Sequence, residues 1–146
     1  MKNNPEILRN QSKGFTLIEV MITCVIISIL MAIGWPMYQN YVIKSRRSAS
    51  VLCLMEYSQY MERFYNSNLS YSTDTSGNPN TLPAFSCATS VSDFYTFSLP
   101  SSSATAYTLR ATPKGVQSQK DTECGTLSLQ STGSRTASGG GSKCWK

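Results

Sequence analysis

The sequence predicts an α+β protein: one very long N-terminal helix followed by a small domain of short strands. Three observations carry that prediction. An almost uninterrupted apolar run begins at Phe15 and reaches Tyr38. A helical stripe of apolar side chains then follows over residues 50–64. Beyond it, short segments alternate apolar and polar residues between clusters of Ser, Thr, Gly and Pro, the signature of half-buried strands.

The first 14 residues, MKNNPEILRNQSKG, carry Lys2, Arg9 and Lys13 against Glu6 and show no apolar period. From Phe15 to Ile33 the only carboxylate is Glu19. A helix needs ~20 mostly apolar residues to cross a bilayer, and this run supplies them. The small residue Gly14 stands before the run, and no small-residue cleavage signal follows it. The apolar helix is therefore expected to be retained, unlike the core of an ordinary signal peptide.

A carboxylate within such a run is costly and marks function. The residues alone admit two readings of Glu19: a charge that pairs with a partner in assembly, or a helix-start glutamate favoured by the helix dipole. Gly34 and Pro36 weaken the helix where the apolar run ends, either as a segment that extends or as a fixed kink. Cys24, alone in the run, reads as a small apolar filler.

Cys53, Cys87, Cys124 and Cys144 follow, an even number in a domain of about 100 residues, a size that benefits from disulfides. Basic residues flank the run on both sides, so the charge rule barely orients it. The cysteines orient it better: they favour an oxidising compartment for the C-terminal part, with one span and the N-terminus in the cytosol.

Ser50, Cys53, Leu54, Tyr57, Tyr60, Met61 and Phe64 recur at helical spacing, with Glu56, Gln59, Glu62 and Arg63 opposite. One helix is thus expected from about Phe15 to about Tyr65. Residues 66–93 hold Gly77, Pro79 and Pro83 and read as a long loop. Residues 94–99 and 105–111 read as strands joined through residues 100–103, and residues 126–130 as a third strand. Residues 131–143 are rich in Gly and Ser and read as a loop held by Cys144. The tripeptide Asn68-Leu69-Ser70 fits a glycosylation sequon and reads as an accident of loop polarity.

The chain has no histidine, so the usual proton-transfer residue and the commonest metal ligand are missing. No base is placed to activate a serine or threonine. No CxxC pair supports zinc or redox chemistry. The expectation is a protein that is not an enzyme and holds no cofactor or metal. Charged residues make up only 14%, and the formal charge is +5. Without residues 1–14 the chain keeps 10 basic and 7 acidic side chains. Lys114, Lys120, Arg135, Lys143 and Lys146 fall in the last third, near Trp145. They read either as a solvated surface or as a dispersed phosphate-contacting set with an aromatic for stacking.

At Lys13-Gly14-Phe15-Thr16-Leu17-Ile18-Glu19 the sequence resembles the class III leader of type IV pilins. Segments 61–65, 69–71, 107–113, 121–127 and 144–145 are similar to minor pilins of the PilE/ComP-like group. The resemblance implies the type IV pilin fold, in which the long helix packs on a small antiparallel sheet and a disulfide closes the C-terminal loop. It implies a leader over residues 1–14, an assembly helix over 15–38 and a globular domain over 39–146. Prepilin peptidase would cut between Gly14 and Phe15 and methylate the Phe15 amine. Glu19 would pair with a neighbouring subunit's amine, and the segment of Gly34 and Pro36 would lose helicity in the filament. The implied partners are other pilin subunits in a helical filament, the peptidase, the inner membrane and the pilus assembly machinery. The domain would face the periplasm and then the exterior in the pilus. The residues alone allow three cysteine connectivities; the resemblance implies Cys124–Cys144, which leaves Cys53 with Cys87. Two alternatives accompany the subunit reading: a DNA-binding receptor in natural transformation, as in ComP-like members, and a pseudopilin of type II secretion.

Overall fold

The computed structural model describes residues 14–145. Its elements run α1 (Leu17–Asn68), α2 (Ser86–Ser90), β1 (Tyr95–Ser102), β2 (Tyr107–Pro113), α3 (Val116–Lys120), β3 (Leu127–Gln130) and β4 (Arg135–Ala137). Residues 1–13, which make up most of the expected leader, and the candidate cation Lys146 lie outside the described residues. The chain divides into two compact units, Met1–Tyr38 and Gln39–Lys146.

In the first unit, α1 begins with a reciprocal cap. The Glu19 N–H donates to Thr16 Oγ1 at 3.3 Å, and the Thr16 N–H donates to Glu19 Oε2 at 3.4 Å. This is the T-x-x-E box that satisfies two of the otherwise orphaned amides of a helix start. The most apolar window of the helix has a mean hydropathy of 2.5, and none of it is buried. Helical geometry passes through Pro36 without a break, although proline leaves the carbonyl four residues earlier without its helical donor.

The second unit is built on the C-terminal part of α1. Arg47, Ser50, Val51, Cys53, Leu54, Tyr57 and Met61 form its buried face. The expected stripe is there, except that Tyr60 and Phe64 sit at its half-exposed margin while Arg47 and Val51 belong inside. The helix ends where Leu69 turns left-handed, with φ 55°. The Asn68 side chain folds back and donates to the Phe64 carbonyl at 2.9 Å.

The four strands form one antiparallel sheet in the order β1-β2-β3-β4. Along β2, Tyr107, Leu109 and Ala111 are buried while Arg110 and Thr112 are exposed, the period-2 pattern of a sheet with one covered face. Leu127 and Leu129 extend the covered face on β3. These side chains share one core with Leu54, Tyr57 and Met61 of α1. Each large apolar side chain buried there contributes roughly 1.5–3 kcal/mol relative to exposure.

The structure departs from the expected elements in four places. The β1–β2 turn was expected over residues 100–103, but β1 continues through Pro100 to Ser102. Pairing slips between Ser98 and Ser101, and an edge-strand irregularity is where a proline without its amide is tolerated. The expected loop over 66–93 contains α2, whose Cys87 is bonded to Cys53 of α1. The short helix α3 follows β2. The Gly/Ser-rich tail contributes a fourth strand, β4, paired with β3.

The tail is packed tightly. A Cβ on Gly139 would lie 2.3 Å from the carbonyl oxygens of both Thr122 and Glu123, so only glycine fits there. Cys144, bonded to Cys124, holds the end of this segment. The indole N–H of Trp145 donates to the Thr136 carbonyl at 3.1 Å and ties the end of the tail to β4.

Candidate functional site

In the first unit, Gly14 and Phe15 are both exposed, and Phe15 is 84% exposed. Glu19 is exposed and engaged in the cap with Thr16. Gly34 has no side-chain or distant backbone atom within 4 Å of the place a Cβ would take. Cys24 is a free, exposed thiol. An exposed apolar helix with one carboxylate near its start is a surface that requires lipid or other apolar helices around it.

In the second unit the candidate cations do not form one patch. Arg135 lies on β4 with its guanidinium 5.8 Å from the centre of the Trp145 ring, a cation–π contact. Lys143 is exposed two residues before Trp145. The disulfide-closed tail thus brings Arg135, Lys143 and Trp145 to one corner. Glu123 also reaches this tail, its Cγ lying 3.1 Å from the site of a Cβ on Gly141. Lys114 and Lys120 bracket α3 and are exposed. Lys146 lies outside the described residues.

Two other cations that sequence reasoning left as flanking charges are consumed by the fold. Arg47 is buried and donates through Nη1 to Asp121 Oδ1 at 2.5 Å. Asp121 Oδ2 also accepts from the Tyr95 hydroxyl and from Gln117 Nε2, each at 3.1 Å. Burial and the Asp121 carboxylate push the Tyr95 phenol up to about 12. Arg46 stacks over Phe94 with its guanidinium carbon 3.6 Å from the ring centre. The network ties α1 to the residues that open the disulfide loop.

Glu62, read from the sequence as a solvent-side residue, is exposed but reaches back to the sheet. It accepts from the Tyr71 hydroxyl at 3.0 Å and from the Tyr107 hydroxyl at 3.1 Å. Burial, together with the hydrogen bond to Glu62, raises the Tyr71 phenol to about 12.

Arg110 was not singled out in the sequence. It stands exposed in the middle of β2, on the uncovered side of the sheet. Its register opposite Ser98 on β1 and Ser128 on β3 places hydroxyls on both sides. Alternation along residues 107–113 held the signal, since the side opposite Tyr107, Leu109 and Ala111 must face solvent. Among the described residues no group of three or more acidic or cysteine side chains is placed to hold a metal.

Comparison with known proteins bears on both units. Residues 36–128, well over half the chain, match the family described as type IV minor pilin ComP, DNA uptake sequence receptor. Residues 9–35 match the prokaryotic N-terminal methylation motif. The chain is 37% identical over 84 residues to the type IV major fimbrial protein FimA of Dichelobacter nodosus, covering 50% of this chain and 52% of FimA. It is 60% identical over 37 residues to the type IV major alpha-pilin of Moraxella bovis, covering 25% of this chain and 23% of that pilin. The chain thus spans about half the length, or less, of these curated relatives. A solved type IV pilin from Shewanella oneidensis aligns with TM-score 0.50 and 28% identity, covering 71% of this chain and 98% of that pilin.

Proposed function

Since this chain belongs to the type IV minor pilin ComP family, we propose that it is a subunit of a type IV pilus, assembled through its apolar N-terminal helix. The supporting observation is an unburied helical window of mean hydropathy 2.5 that follows a methylation motif matched over residues 9–35. Prepilin peptidase removes residues 1–14 and methylates the Phe15 amine. Residues 15–38 anchor the subunit in the inner membrane with the N-terminus in the cytoplasm, and residues 39–146 fold in the periplasm. On assembly the helix exchanges lipid for neighbouring helices, and the globular part becomes extracellular.

In this scheme Glu19 leaves its cap with Thr16 to pair with the amine of a neighbouring subunit. Attraction between the two is weakly screened among apolar helices. Gly34 and Pro36 give the segment where helicity is lost. Glu19→Gln is expected to leave the protein in the membrane fraction and remove it from sheared pili; unchanged incorporation overturns the pairing. Mass spectrometry of the native protein is expected to find an N-methylated Phe15.

A second role is favoured by the family match: reception of DNA by the assembled or membrane-held subunit. Arg135, Lys143 and Trp145 at one corner, with Lys114, Lys120 and Lys146, supply cations for phosphates and a ring for stacking. The family match ends at residue 128, so the corner itself lies beyond it and rests on its own chemistry. Full-length protein in detergent is expected to bind duplex DNA with an affinity that falls as salt rises. Binding that is absent at low salt overturns this role and leaves the subunit role standing.

A further inference from the structure

We infer that the end of the globular unit where α3 meets α1 docks on anionic phospholipid headgroups, with Lys44, Lys114 and Lys120 as its charges and Val116 as its apolar contact. The inference rests on the membrane-held subunit reading and adds to it a second, surface contact with the bilayer.

Three segments of the chain meet at this end. Gln117 of α3 donates through Nε2 to the Ile43 carbonyl of α1 at 3.1 Å. The Arg46 guanidinium lies over the Phe94 ring, and the Lys114 N–H donates to the Phe94 carbonyl at 2.8 Å. Asp121, one residue past α3, holds Arg47. Residues 43–47, 93–95 and 114–121 are thereby fixed against one another.

The chain keeps this end close to the bilayer. The apolar run ends at Tyr38, and Ile43 follows five residues later. Five residues span at most ~18 Å even when fully extended, and a rearrangement at Gly34 and Pro36 leaves that bound intact. Trp35, Tyr38 and Tyr41 are all exposed, and such rings settle at the membrane–water interface. Tyr41 stands two residues before the carbonyl that α3 holds. With the surface already tethered there, docking is an intramolecular step, and weak attraction suffices.

The exposed groups suit a headgroup layer. α3 turns Gln117 inward and leaves Val116, Ser118, Gln119 and Lys120 outside. Val116 is 58% exposed, an apolar side chain with nothing over it in the subunit. Lys44, Lys114 and Lys120 are exposed, and among the described residues none of them forms an ion pair. Asp93 is the competing carboxylate, since its backbone carbonyl lies 4.0 Å from the place of a Cβ on Gly115. Asp121 is occupied by Arg47. The three lysines and the half-buried Arg46 therefore outweigh the free acid. Lysine reaches headgroups on a flexible stem, and its attraction to an anionic leaflet acts within a Debye length of the surface.

Quenching by nitroxide-headgroup lipid measures the contact in full-length protein reconstituted in vesicles, with Cys24→Ser so that one added cysteine takes the dye. Gln119→Cys places the dye on α3. Asn66→Cys places it ~35 Å of helix away from Ile43, as a control. With phosphatidylglycerol in the vesicle the α3 dye is expected to be quenched more than in phosphatidylcholine alone, and rising salt is expected to remove the excess. The dye at residue 66 is expected to show no excess. Lys114→Gln and Lys120→Gln are each expected to lower the docked-to-undocked ratio about fivefold, and together about 25-fold. Lys114→Arg with Lys120→Arg is expected to keep it. Val116→Ser is expected to lower the ratio without changing its salt dependence. These side chains are exposed, so thermal unfolding of the variants is expected to match wild type. Protein that floats with the vesicles but is quenched equally at residue 119 in both lipids overturns the docking and leaves the subunit reading intact. An excess that survives the double glutamine variant overturns the assignment to these lysines. Protein that fails to float with the vesicles overturns the subunit reading and the docking with it.

Discussion

Arg47 of α1 and Asp121, 74 residues apart in the chain, form an ion pair inside the globular unit, Nη1 to Oδ1 at 2.5 Å. The pair joins the helix to the turn that leads into Cys124, whose amide donates to the Asp121 carbonyl at 3.2 Å. A buried pair is weak evidence for net stabilisation, but breaking one by deleting a partner leaves a buried charge alone.

The two halves of the pair are therefore expected to differ. Asp121→Ala strips Arg47 of its carboxylate and is expected to cost ~3–5 kcal/mol. Arg47→Met leaves Asp121 with two donors, Tyr95 and Gln117, and is expected to cost less. Equilibrium unfolding of the two variants checks the order; equal costs would show that the retained hydrogen bonds contribute nothing.

Alkaline stability follows from the buried phenols. Tyr71 and Tyr95 are raised from near 10 to about 12, so the folded state holds their protons more tightly than the unfolded state. Their contribution is complete below pH 10 and is lost as pH rises from about 10 through about 12. Stability measured over that window is expected to fall, and Tyr95→Phe is expected to make the fall shallower.

Gly139 is expected to tolerate no side chain. Alanine there places a methyl group 2.3 Å from two backbone oxygens, and backbone must shift to admit it. Overpacking of this kind costs ~1–3 kcal/mol. Thermal unfolding of Gly139→Ala, set beside the exposed Ser142→Ala as a neutral control, measures it.

The two disulfides close loops of similar length, with sequence separations of 34 for Cys53–Cys87 and 20 for Cys124–Cys144. Chain entropy then assigns each about 3–4 kcal/mol, with the longer loop slightly ahead. Paired serine replacements at each bridge, followed by urea unfolding, test this. Only the second pair is expected to release Trp145 from Thr136, visible as a red-shifted tryptophan emission.

The long helix and three strands were legible because their signals are local. An apolar run of bilayer length, a 3.6-residue stripe and a 2-residue alternation need no knowledge of what lies opposite. β4 was not legible, because Arg135-Thr136-Ala137 has no pattern of its own and becomes a strand by pairing with Leu127, Ser128 and Leu129. Of the candidate cations, Arg135 and Lys143 meet at Trp145 through the disulfide, a grouping that does not follow from spacing along the chain.

Taken alone, the sequence determined that an apolar helix bearing a single acid, Glu19, begins the chain behind a glycine, and that short strands follow it. Those properties reside in neighbouring residues and their periods. The tertiary structure alone decided which charges remain outside. Arg47 is withdrawn into a pair with Asp121, Arg46 lies on Phe94, Glu62 reaches the Tyr71 and Tyr107 hydroxyls, and Arg110 faces solvent among serines and threonines. Burial and pairing are set by contacts between distant segments, and those exist only once the sheet has closed over the helix.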